Sequence, residues 1–192
     1  MKISNDQRKG IMSLAKLSVR SVLVGASIPR MHQLTELFAQ KVGNFVTIES
    51  EGKLRSFACD PLPEEPLGIA LIETARNAVL ENSQTNQALN AEDFDNLRVI
   101  VSLMDQICPL NEPDQIQIGI HGVIVQHEGK ISALLPEFVS DQETSPEELL
   151  ACCCEKIKLP GNTWKNPETN VWVFTAENFV VDCAHSCTCC GS

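Results

Sequence analysis

The stretch from Gly43 to Cys59, GNFVTIESEGKLRSFAC, limits what this chain can fold into more than any other. Phe45, Thr47 and Glu49 alternate with Val46 and Ile48, the period-2 pattern of a pleated strand. Glu51-Gly52 supplies the turn, because glycine accepts the positive φ that tight hairpin connections need. Leu54-Arg55 opens the return strand and Asp60-Pro61 closes it. A two-stranded hairpin is marginal alone in water and has to pack against something. Amphipathic segments on both sides offer the helices.

Further segments follow in a recognisable order. Pro66-Leu67 opens a helix that carries Ala75-Arg76-Asn77-Ala78, and Leu97 to Leu103 reads as a strand. Then come Ile118-Gly119-Ile120-His121-Gly122, Leu134-Leu135-Pro136, Cys154 to Pro160, Trp164, and Phe174 to Phe179. With the Gly-Asn-Phe-Val-Thr strand and Leu54-Arg55, this series resembles the AMMECR domain family over roughly residues 10 to 180. The resemblance implies an α+β domain with a larger and a smaller lobe. It also implies company with a Memo-like protein and a radical S-adenosylmethionine protein, beside which the family's genes lie in bacteria and archaea.

One motif departs from the family. After Leu-Arg the family has Gly-Cys-Ile-Gly, whereas this chain has Ser56-Phe57-Ala58-Cys59. Phe57 stands in the place of the family cysteine, and Cys59 lies two positions later. The small residues that let a backbone or ligand approach closely are gone. The family's Asp-Pro-Arg-Phe motif is also lost around Asn82-Ser83-Gln84-Thr85. The resemblance therefore carries fold further than activity.

The rest of the chain reads as alternating helices and paired strands. Ile11, Leu14, Ala15, Val19 and Val22 predict an amphipathic helix over residues 5 to 23, and a short one follows from Leu34 to Gln40. Pro66, suited to a first helical turn, starts a helix to about Asn82 that buries Ile69, Leu71, Ile72, Ala75 and Val79. Asn90 is an N-cap for a single turn. Leu97 to Met104, apolar and β-branched, predicts a central strand, and a second hairpin turns at Glu128-Gly129. Ser145-Pro146-Glu147-Glu148 combines an N-cap serine, proline at N1 and glutamate at N3, so a helix runs from there to about Lys158. Val171 to Phe174 is the last strand. Hairpins rather than repeated βα crossovers predict an α+β fold with a largely antiparallel sheet flanked by helices. The expected organisation is one domain over residues 1–180 and a Cys-rich tail over 181–192.

Charge is uneven. The net charge is −10, yet residues 1–41 hold seven basic residues against Asp6 and Glu36. The acidic remainder argues against nucleic acid, whose binding rests on Lys and Arg neutralising phosphates. No apolar run approaches membrane-spanning length, and Met1 to Asp6 lacks the apolar stretch of a secretory signal. A cytoplasmic protein with reduced thiols is the expectation, and its 9 cysteines, an odd number, do not suggest a disulfide framework.

Three groups of residues could carry chemistry. In the tail, Cys183, His185, Cys187 and Cys190 form a soft-ligand set for zinc or an iron–sulfur cluster. Cys183, Cys187 and Cys190 have the C-x3-C-x2-C spacing of radical S-adenosylmethionine enzymes, although nothing here could supply their βα barrel. Cys152, Cys153 and Cys154 on one helix point about 100° apart and cannot converge on one ion, so they read as core. Arg55, Cys59 and His121 are the candidate catalytic residues: a thiol near a guanidinium, and a polar side chain between glycines at a strand end. No phosphate-binding loop, G-x-G-x-x-G, H-E-x-x-H or G-x-S-x-G motif is present. An accessory or adapter subunit working with the Memo-like and radical S-adenosylmethionine partners is the leading expectation. The alternatives are an enzyme using a cleft near Arg55, Cys59 and His121, and a metal-handling module based on the tail.

Overall fold

The computed structural model describes residues 2–28, 36–80, 88–138 and 144–184. The described residues form two compact units, one from those between 2 and 103 with 178–184, the other from those between 104 and 177. The fold is α+β, and its antiparallel strands follow the order β2-β1-β3-β6-β4-β5. They span Asn44–Ser50 (β1), Lys53–Asp60 (β2), Leu97–Pro109 (β3), Gly122–His127 (β4), Lys130–Leu134 (β5) and Asn170–Asp182 (β6). Among the described residues, no helix is long and apolar enough to cross a membrane.

In the first unit, helix α1 runs over Asn5–Leu23. Ser4 starts it, its hydroxyl accepting from the Gln7 amide while the Gln7 side chain accepts from the Ser4 amide. Helix α2, Leu67–Leu80, packs against α1 and over β1 and β2. Opposed strand residues share a face, so Val46, Ala58 and Val101 form one row and Ile48 and Val99 lie in the next. These join Ile11, Ala15, Val19, Leu71 and Ala75 in a core closed to solvent. The expected short helix around residues 34–40 is a single 3-10 turn, Glu36–Ala39, among the described residues.

The burial expected for α2 needs correction at one residue. Leu67, Ala70, Leu71, Thr74, Ala75, Ala78 and Val79 face inward, but Ile69 is 47% exposed and Ile72 only partly covered. A helix this rich in apolar residues offers more than one stripe, and packing against α1 and the sheet selects which is buried.

In the second unit, helix α3, Pro146–Lys156, packs on β4 and β5. Its capping box is complete: the Glu148 amide donates to the Ser145 hydroxyl, and the Glu148 carboxylate accepts the Ser145 amide at 2.7 Å. That amide bond and the Ser145 hydroxyl hold the Glu148 carboxyl below its ordinary value. Leu149, Leu150, Cys153 and Cys154 enter a core with Val123, Val125 and Leu134. Cys152 faces solvent, as the angular spacing of the triplet requires. Burial pushes the Cys153 thiol up to about 12, so it behaves as a small hydrophobe.

The last strand is much longer than the expected Val171–Phe174 and runs to Asp182. The polar run Thr175-Ala176-Glu177-Asn178 hides it from a pattern search, yet Phe179 beyond that run is 3% exposed in the first unit's core. Ladder pairing overrides weak local alternation here.

Candidate functional site

The β1–β2 hairpin carries the matched Leu54-Arg55 and the altered residues that follow. Its turn has Glu51 at φ 53 and Gly52 at φ 71, both left-handed, which is the backbone of a type I′ connection. Register is regular from Asn44↔Asp60 to Ile48↔Ser56, then jumps to Glu49↔Leu54. Arg55 is the extra residue of this bulge, and a bulge re-aims the side chain it releases. Past it, Phe57 opposes Thr47 and Cys59 opposes Phe45, with Ile100 and Ser102 next on β3. These share the sheet face opposite to Val46 and Ala58.

Three buried polar atoms on this hairpin have no hydrogen-bond partner: Asn44 Oδ1, Arg55 Nε and Ser56 Oγ. Asn44 and Ser56 are themselves 0% exposed. The Asn44 side-chain amide nitrogen donates to the Val42 carbonyl at 3.4 Å. Opposite Asn44, burial raises the Asp60 carboxyl above its ordinary value, helped by repulsion from Glu73 and Glu64. Buried polar groups are nearly always paired, so such atoms mark where a structure keeps unspent bonding capacity.

The other candidates stand elsewhere. Arg55 and Cys59 fall in the first unit and His121 in the second. His121 Nδ1 accepts the Gln117 amide at 3.2 Å, which puts the neutral ring's proton on Nε2 and closes the turn ahead of β4. Gly122 follows because nothing larger fits: an added Cβ would lie 2.6 Å from the Leu134 carbonyl oxygen and overlap the Phe174 ring.

Of the proposed tail ligands, His185, Cys187 and Cys190 lie outside the described residues. Cys183 is 3% exposed in the core, its amide bonded to the Leu97 carbonyl at 2.8 Å. Burial pushes its thiol up to about 11, against the pull of the Lys16 ammonium. Ligating a metal would mean extracting Cys183 from the core and ionising it. Among the described residues no three His, Cys, Asp or Glu side chains group as metal ligands would.

Sequence reasoning missed one feature of the first unit. Glu51, Gly52, Asp95, Arg98, Asp182 and Ala184 line a shallow hollow of about 500 Å³. Two of these lining residues are bonded: Arg98 Nε donates to Asp182 Oδ1 at 3.0 Å. These residues come from three distant parts of the chain, so no local motif announces them.

The family model described as AMMECR1 matches residues 12–179. The chain belongs to the AMMECR1 family. A protein of Methanothermobacter thermautotrophicus is 31% identical over 94% of this chain and 97% of its own length. A protein of Aquifex aeolicus is 30% identical over 87% and 89% respectively. The crystal structure of an uncharacterised protein, PH0010 from Pyrococcus horikoshii, superposes with a TM-score of 0.82 at 27% identity, covering 96% of each chain. Family membership thus spans both units, including the strand that bears the altered motif.

Proposed function

We propose that this AMMECR1-family protein acts in the cytoplasm as an accessory or adapter subunit, binding Memo-like and radical S-adenosylmethionine partners. The observation that carries the reading is the outward side of α2. Ile69 and Leu80 are 47% and 63% exposed there, with Glu73 and Asn77 between them, and Leu62 ahead of the helix is 38% exposed. Large apolar side chains spaced along one exposed helix stripe and rimmed by polar residues suit a protein interface. The same helix carries Ala75-Arg76-Asn77-Ala78, a segment that matches the family.

The test mixes the purified full chain with a Memo-like protein and a radical S-adenosylmethionine protein from one organism, followed by size-exclusion chromatography. The wild type should co-elute with one or both. The double variant Ile69→Lys, Leu80→Lys should elute alone while melting where the wild type melts, because both side chains face solvent. A wild type that never co-elutes, or a double variant that binds equally well, would overturn the reading.

A further inference from the structure

We infer that Arg55 is an oxyanion-binding residue, built to take the carboxylate or phosphate group of a small ligand. The inference is independent of the α2 surface and rests on an imbalance at one side chain. Its Nε is enclosed and lacks an acceptor, and no carboxylate pairs with the guanidinium among the described residues. The ion pairs Arg98–Asp182 at 3.0 Å and Lys165–Glu147 at 3.2 Å, by contrast, join side chains that are about half exposed, where an unpaired cation would be solvated. A guanidinium is always charged at physiological pH, and an enclosed N–H of a charged group left without an acceptor is costly. A fold that retains this cost at one arginine keeps a donor in reserve.

The backbone supports the same conclusion. Arg55 is the residue released by the β-bulge between the Ile48↔Ser56 and Glu49↔Leu54 pairs, so it has no cross-strand partner to fix its direction. The residue as a whole is half-buried although its Nε is enclosed. A carboxylate or phosphate meets a guanidinium best through two parallel bonds, one to Nε and one to a terminal nitrogen. Rotation of the long side chain presents that edge, and the bond gained is the one Nε lacks in the unliganded protein. Lysine, a point charge without the fork, would not reproduce the contact.

The experiment follows the arginine Nε–Hε signals by two-dimensional NMR on the full wild-type chain. Inorganic phosphate and acetate are titrated separately, with sodium chloride holding ionic strength constant. The signal missing from Arg55→Lys identifies Arg55. That signal should shift saturably with phosphate, acetate or both, and the responding anion names the class. The Arg98 signal, already paired, should drift only slightly, and Arg55→Lys should weaken anion binding about tenfold or more. Arginine signals that all drift together without saturation, or an Arg55 signal that stays still in both titrations, would overturn the inference. The wild-type titration decides this even if the lysine variant folds poorly.

Discussion

The two hairpins of this protein use one turn and reach different ends. Glu51-Gly52 and Glu128-Gly129 have nearly the same backbone, with φ values of 53 and 71 in one and 49 and 77 in the other. Beyond the turn they diverge. The β4–β5 ladder is regular from Val123↔Leu134 to His127↔Lys130, and its buried histidine is satisfied. The Thr169 hydroxyl donates to the Thr163 carbonyl at 2.8 Å, so its oxygen accepts from His127 Nδ1 at 2.9 Å. The β1–β2 ladder is broken by a bulge and leaves Asn44 Oδ1, Arg55 Nε and Ser56 Oγ without partners. Local turn chemistry therefore says nothing about which hairpin spends its stability on packing and which holds polar capacity back.

Mutations can break this contrast, beginning where the packing is tightest. Gly122→Ala places a methyl against the Phe174 ring and the Leu134 carbonyl. Neither can move without disturbing β4–β5, so a loss of about 3 kcal/mol is expected in urea unfolding. Wild-type stability in that variant would mean that this hairpin is as loosely filled as the other.

Removing a hydroxyl should have opposite effects on the two sides. Thr169→Val strips His127 of its partner and leaves a buried ring nitrogen unpaired, a cost of about 2 kcal/mol. Ser56→Ala removes an oxygen that bonds nothing, and should be neutral or stabilising by up to about 1 kcal/mol. Equal losses at both positions would show that Ser56 has a partner in solution.

The smallest expected effect is a dependence on pH. The folded-state value of Asp60 is raised, so the native state holds its proton where the unfolded chain has released it. This contribution makes the protein more stable as pH falls through the folded value, and the gain levels off below the ordinary carboxylate value of about 4. Asp60→Asn should flatten this part of the profile and raise stability at neutral pH, as read by thermal melting across pH. A steeper loss of stability at low pH in the wild type than in the variant would reverse the sign assigned to Asp60.

Much of the fold was legible because its determinants are local. The Ser145 capping box and both Glu-Gly turns depend on residues within four positions of each other, and each forms where the pattern puts it. Helix α1 follows its 3.6-residue period from Asn5 to Leu23. The candidate site was legible only in part. The family motif drew attention to Arg55 and Cys59, but no feature of the residues foretold that the Arg55 Nε would lack an acceptor. Cys183 looked like a ligand because its neighbours in sequence are cysteines, whereas its neighbours in space are core residues.

By itself, then, the sequence determined the caps, the turns, the family and the α+β class, since these rest on short-range hydrogen bonds, allowed φ values and hydrophobic periodicity. Only the tertiary structure decided the rest. Strand pairing carried β6 through a polar run to Asp182, helix packing left Ile69 in solvent, and ladder register released Arg55 into a bulge. The Arg98–Asp182 bond joins residues 84 positions apart. Each of these depends on contacts between distant segments, where small differences in packing and pairing outweigh local preference.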